Sequence, residues 1–217
     1  MGDAFEKIFS RFGLFLRYLA PGIVFLIVFM LLHRNFCLGQ LRELSDRELT
    51  GLIIFIALLG FGIFSIHRYI IVWPLWWLVV KMRRLLNVYP PLPTEWNNLP
   101  TRRVMFLLDM QRLLRGASQD KKVLAVSDAH ARWSSMQHYL YCSAYIMLIL
   151  PIIFRVLLPK ALQADRFWPI LVSGFLLLIL VLISEFRNTN LDVWATTKFP
   201  DGCVVDSSFQ QNASADG

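Results

Sequence analysis

From Gly51 to Val80 the chain is an apolar run broken only at His67-Arg68. As a helix it would reach about 45 Å, longer than the roughly 30 Å hydrocarbon core of a bilayer. The run is therefore too long for one simple crossing. Three more apolar stretches accompany it: Phe12 to Leu32 with Arg17 near its start, Tyr139 to Phe154 extended past Arg155 by Val156–Leu158, and Trp168 to Ser184. Spanning helices need about 20 mostly apolar residues. The 217-residue chain is 56% hydrophobic and 17% charged, against roughly 45–50% and about 25% in soluble domains. No stretch alternates with period two between turn residues, which argues against a β-barrel.

These stretches predict an all-α polytopic membrane protein: a four-transmembrane-helix bundle with a cytosolic helical hairpin between spans 2 and 3. Residues 1–80 would hold spans 1 and 2, and 81–138 the cytosolic segment. Residues 139–186 would hold spans 3 and 4, and 187–217 a mobile tail. Near the inner ends stand twelve Lys/Arg (7, 11, 17, 68, 81, 83, 84, 121, 122, 132, 187, 198), and the outer loops hold six (34, 42, 47, 155, 160, 166). That imbalance places both termini in the cytoplasm, at a cell inner membrane. The first stretch is too long for a signal-peptide core and lacks a small-x-small cleavage site. Gly2 lacks the Ser/Thr that myristoylation expects. Cys37, Cys142 and Cys203 are expected as free thiols in three separate surroundings, and Asn212-Ala-Ser as a silent sequon.

Two readings of 51–80 compete. The helix either crosses between Gly51 and Ile66 and then lies along the interface, with Trp73, Trp76 and Trp77 in a headgroup belt, or it continues unbroken. Counted inward from the outer edge, Arg17, Arg68 and Glu185 fall at one level, a boundary charge cluster that either pairs across spans or snorkels to headgroups. Gly60, Gly62 and Ser173-Gly174 permit close helix contact.

The central segment opens with Tyr89-Pro-Pro-Leu-Pro, a stiff connector. Thr101 is expected to cap a helix over 102–115 that Gly116 stops. Val104, Leu107, Leu108 and Leu114 give it an apolar face. Arg102, Arg103, Arg112 and Arg115 give it a basic side for an anionic leaflet or a protein partner. Ser118 would cap a second helix that runs on into span 3 and kinks near Pro151.

Motifs for nucleotide binding, metalloprotease, hydrolase or dithiol chemistry are absent. The polar cluster with most chemical potential is Asp128, His130, Arg132 and His138. Asp128 and Arg132 share a helix face and suit an ion pair. Arg132 and His138 also fit the loose Arg-x(4–6)-His spacing of HEPN ribonucleases, but here the spacing runs straight into an apolar helix. No catalytic residue, cofactor, metal or direct nucleic-acid contact is expected. The expected role is a non-enzymatic membrane subunit, a homo-oligomer in the lipid bilayer that anchors or signals to a cytosolic protein partner. By architecture it is analogous to sensors or effectors of bacterial stress and anti-phage defence. The alternative is a small oligomeric channel or membrane-permeabilising protein.

Overall fold

The computed structural model describes residues 15–33 and 44–198, and within them every side chain except those of Leu16 and Arg17. The boundary role of Arg17, the thiols of Cys37 and Cys203, the sequon and the tail beyond Lys198 therefore lie outside the described residues.

The described residues are helical. A π-turn, Phe15–Leu19, leads into α1 (Ala20–Leu32), and α2 covers Asp46–Ile66. A second π-turn, His67–Ile71, joins α2 to α3 (Val72–Leu85) without a break. A short 3-10 turn, Thr94–Trp96, precedes α4 (Thr101–Ala117), α5 (Lys121–Leu157) and α6 (Ala164–Lys198). Three helices are long and apolar enough to cross a membrane: Asp46–Leu85, Lys121–Leu157 and Ala164–Lys198. Ala20–Leu32 is a shorter apolar helix.

Both π-turns end just ahead of a proline, Pro21 in α1 and Pro74 in α3. A proline offers no N–H to the carbonyl four residues back, and its ring presses on that carbonyl. Those carbonyls belong to Arg17 and Ile70, and each lies within a widened turn. At the second turn the Val72 N–H donates five residues back, to the His67 carbonyl. The extra residue lets the helix pass the proline, which is why the 51–80 run continues instead of stopping at His67-Arg68.

The chain divides into two compact units, with cuts after Trp73, Trp133 and Ile183. The first unit contains α1, α2, and the parts of α5 and α6 between Ser134 and Ile183. Its helices meet at glycines. A Cβ on Gly22 would collide with the Ile56 carbonyl, and one on Gly60 with the Tyr18 carbonyl, so α1 and α2 touch backbone to backbone. A Cβ on Gly174 in α6 would stand 2.8 Å from the Met147 Cβ of α5. Gly62, by contrast, has nothing within 4 Å. Val28, Leu32, Ile146, Leu150, Phe154 and Ile170 form the core. Phe29 sets its ring edge-to-face against Phe154 at 5.2 Å. The Gln163 N–H donates to the Leu32 carbonyl at 2.8 Å, and His33 bridges to Leu162, tying the end of α1 to the α5–α6 turn. Outward, α2 shows Ile54, Leu58 and Phe61, and α6 shows Val172, Leu176 and Leu180, all exposed. In water such a surface would be a large apolar patch of the kind monomeric soluble proteins avoid. A capping box starts α2: the Ser45 N–H donates to Glu48 at 2.9 Å, and the Glu48 N–H returns to the Ser45 hydroxyl.

The second unit contains α3 from Pro74, the proline connector, α4, the start of α5 up to Trp133, and α6 from Ser184. Trp76, Val80, Leu92, Trp96, Val104, Met105, Leu108 and Val193 form its core. Several local expectations change here. Trp76, expected in a headgroup belt, is buried. Pro100 rather than Thr101 occupies the cap position of α4, which runs through Gly116 to Ala117. Ser118 closes α4, and the Asp120 carboxylate accepts the Lys122 N–H at 2.8 Å to start α5. Helix α5 runs uninterrupted from Lys121 to Leu157, the one long helix expected from the sequence, with Pro151 inside it in the first unit. Helix α6 passes residue 187, where the mobile tail was expected to begin, and keeps its helical hydrogen bonds to Lys198.

Candidate functional site

The polar interior of the second unit is built around Asp192. It sits on α6 with Asn188 one turn before and Thr196 one turn after, and all three are buried. Two arginines of α4 reach it, three residues apart and so on adjacent turns of one face. Arg112 donates to Oδ2 from Nε at 3.0 Å and from its terminal nitrogen at 2.6 Å. Arg115 donates to Oδ1 at 2.6 Å and to the Asp192 carbonyl at 3.4 Å. From α5, His130 brings Nδ1 to 3.4 Å of Oδ1. Thr196 bonds both the Asp192 carbonyl and the Gln111 side chain. Both carboxylate oxygens are thus held by guanidinium donors, which makes Asp192 a clamp across three helices and leaves it poorly suited as a base.

The surroundings extend the theme. The Arg112 guanidinium lies 4.4 Å from the Trp76 ring centroid, a cation–π contact. Burial pulls the Arg112 guanidinium down. Asp192 beside it, with help from Glu185 and Asp109, more than offsets this and holds it above its ordinary value. Arg83, 2% exposed, donates to the Asn190 side chain and the Pro90 carbonyl. Arg84 donates to the carbonyls of Trp96 at 3.0 Å and Leu99 at 2.6 Å. Those two arginines fasten the proline connector to α3 through acceptors that carry no charge.

A second polar group lies in the first unit, among apolar helices. His67, fully buried on the π-turn, shares a 2.8 Å hydrogen bond between its Nε2 and the Nδ1 of His138 on α5. One ring donates and the other accepts, so at least one of the two is neutral. The Tyr141 ring stacks on His67 at 5.3 Å, Tyr145 lies at 5.7 Å, and Phe64 meets His138 edge-on at 5.8 Å. His67 Nδ1 has no hydrogen-bond partner among the described residues. Cys142 is fully buried. No group of three or more His, Cys, Asp or Glu suited to a metal ion occurs among the described residues.

The residues singled out from the sequence are thereby redistributed. Of the basic set on α4, Arg102 and Arg103 are exposed, while Arg112 and Arg115 turn inward to Asp192. Of the polar cluster on α5, Asp128 and Arg132 are exposed. His130 joins the Asp192 clamp in one unit, and His138 pairs with His67 in the other. Arg68 is exposed on its π-turn and belongs to the first unit. Glu185 is half-buried and belongs to the second, where it acts on Arg112. Asp192, Arg83 and His67 were not foreseen as site residues. The available signal for Asp192 was the polar stripe Asn188, Asp192, Thr196 at four-residue spacing, which is helical and not tail-like.

No family model matches this chain, and neither the curated proteins nor the solved structures yield a match.

Proposed function

We propose that the chain is a non-enzymatic integral membrane subunit that self-associates and anchors, or signals to, a cytosolic protein partner through the outward face of α4. The observation that carries this reading is a pair of large apolar side chains facing out of a helix whose other side is fully used. Phe106 is 56% exposed and Leu113 64%. Together with exposed Arg102 they fall within about 40° of one another around the helix, with Arg103 at the edge. The opposite side packs Val104, Met105 and Leu108 in the core and spends Arg112 and Arg115 on Asp192. An aromatic anchor rimmed by arginines suits a protein surface that is apolar at its centre and acidic around it.

The three long apolar helices supply the membrane part. Ala20–Leu32 with its π-turn is the fourth crossing of this proposal, and both termini face the cytoplasm. The tie between the end of α1 and the α5–α6 turn supports that order, since four alternating crossings put those two points on one side. Helix α4 and the start of α5, separated by 118–120, form the cytosolic hairpin.

The test is to purify the full-length tagged chain in mild detergent and measure the mass and protein content of the complex. A second protein in fixed ratio is expected, with at least a tenfold loss in the Phe106→Asp/Leu113→Asp variant while the chain still extracts from membranes. Retention of the partner by that variant would remove α4 as the docking surface. A closed ring of this chain alone would replace the anchoring reading with a pore, to be followed by dye leakage.

A further inference from the structure

Helix α3 is built inside out for a helix facing water. Its inward side carries Trp76, Val79, Val80 and the guanidinium of Arg83, all buried. Its outward side carries Trp77, Leu78, Lys81, Met82 and Leu85, all exposed. At 100° per residue these outward positions cover about 140° of the helix, and the inward group lies within about 100° on the opposite side. Leu85 is 80% exposed, and Tyr89 just beyond is 85%. Of the basic residues at this end of the helix, Arg83 and Arg84 are spent on acceptors within the unit. The outward face keeps Lys81 alone, its ammonium 4.7 Å from the Trp77 ring.

Length then says where this face can lie. The helix from Asp46 to Leu85 has 40 residues, about 60 Å, twice the thickness of a hydrocarbon core. A part of it must leave the core. The π-turn and Pro74 mark where the backbone changes its regular course, and α3 follows directly. Its outward face has the makeup of a segment lying in the headgroup–acyl boundary: apolar side chains below, Trp and Tyr at the interface, and a lysine whose stem can carry its charge to the phosphates. No Asp or Glu occurs between Glu48 and Glu95, while Arg68 and Lys81 in that stretch are exposed. That charge balance selects an anionic leaflet.

We infer that the outward face of α3 is a lipid-binding surface that seats this part of the chain in the interface of a bilayer rich in anionic phospholipid, with Lys81 as the headgroup contact. This surface is separate from the protein-docking face of α4 and does not depend on it.

The test uses the full chain, with its three cysteines replaced, in nanodiscs of phosphatidylcholine alone or mixed with phosphatidylglycerol. A nitroxide is placed at Leu85→Cys or Leu78→Cys. Ile179→Cys on α6 serves as the lipid reference and Gln119→Cys as the water reference. Collision rates are measured with oxygen, which concentrates in lipid, and with a nickel chelate, which stays in water. The inference expects both α3 labels to be oxygen-accessible and shielded from nickel, with depth values between the two references. It also expects Lys81→Glu to move them at least half-way toward the water reference in the anionic discs and little in the neutral ones. Nickel accessibility equal to Gln119→Cys would place α3 in water and overturn the inference. Shielding from both reagents would mean that protein covers the face and would overturn it equally. An identical Lys81→Glu shift in both lipids would overturn the anionic selection.

Discussion

The two units of this chain solve the packing problem in opposite ways. In the first, the apolar side chains face outward and the helices meet through glycine. Gly22 and Gly60 let backbone touch backbone, and His67 and His138 share a buried hydrogen bond between neutral-capable rings. In the second, charged groups go inside. Arg83, Arg115 and Asp192 are each at most 2% exposed, and the helices meet through guanidinium–carboxylate and guanidinium–carbonyl bonds. The first pattern works where the solvent is as apolar as leucine and close contact must replace the hydrophobic effect. The second works beside water, where a buried ion pair adds specificity at some cost in desolvation. Three helices take part in both, and each changes its residue chemistry along its length accordingly.

The sharpest break of this contrast is Asp192→Asn. It leaves buried Arg115 and half-buried Arg112 without their carboxylate, and removing one member of a buried pair costs about 3–5 kcal/mol. Hydrogen exchange should rise strongly in peptides covering 101–133 and 184–198 and little in those covering 46–66. Equal exchange in both regions would mean that the units do not unfold separately. Next comes Gly60→Val, whose Cβ branches meet the Tyr18 carbonyl. The expected cost is about 1–3 kcal/mol, read as a lower unfolding midpoint in detergent, with the pattern of exchange reversed. Close behind is His67→Phe, which removes the buried hydrogen bond to His138 at a cost of about 1–3 kcal/mol. The double variant with His138→Phe should recover part of that loss, a sign of coupling in a double-mutant cycle. The smallest effect belongs to Arg102→Glu. It is exposed, so stability should stay within about 0.5 kcal/mol, in contrast to Arg115→Ala on the same helix.

Much of the fold was legible because it rests on period and composition. The apolar runs predicted helices at α2, α5 and α6, and the absence of breakers between Gly116 and Pro151 predicted one long helix there. Gly60 and Gly174 were recognisable as contact points, while Gly22, behind Pro21, was not singled out. What remained hidden depends on neighbours distant in sequence. Arg102, Arg103, Arg112 and Arg115 look alike as a list. Only the helical phase that sets Val104 and Leu108 inward shows that Arg112 and Arg115 go with them. Asp192 was lost because the stretch 187–198, with its Asn and Thr residues, was assigned to the tail, and its buried partners lie far off in sequence. The π-turns were not foreseen, since a proline in an apolar run suggests a kink or a stop, and a single extra residue in a turn leaves no compositional trace.

The cuts between the units, after Trp73, Trp133 and Ile183, all fall inside helices. There is accordingly no linker at which a protease, a gene fusion or a truncation could separate them cleanly. Cutting a helix in mid-course orphans up to four carbonyls on one side and four N–H groups on the other. Three such wounds would be needed to free either half. Neither unit is therefore a cassette to be lent to another protein, and the stretch from α1 to α6 has to be inherited, expressed and degraded as one piece.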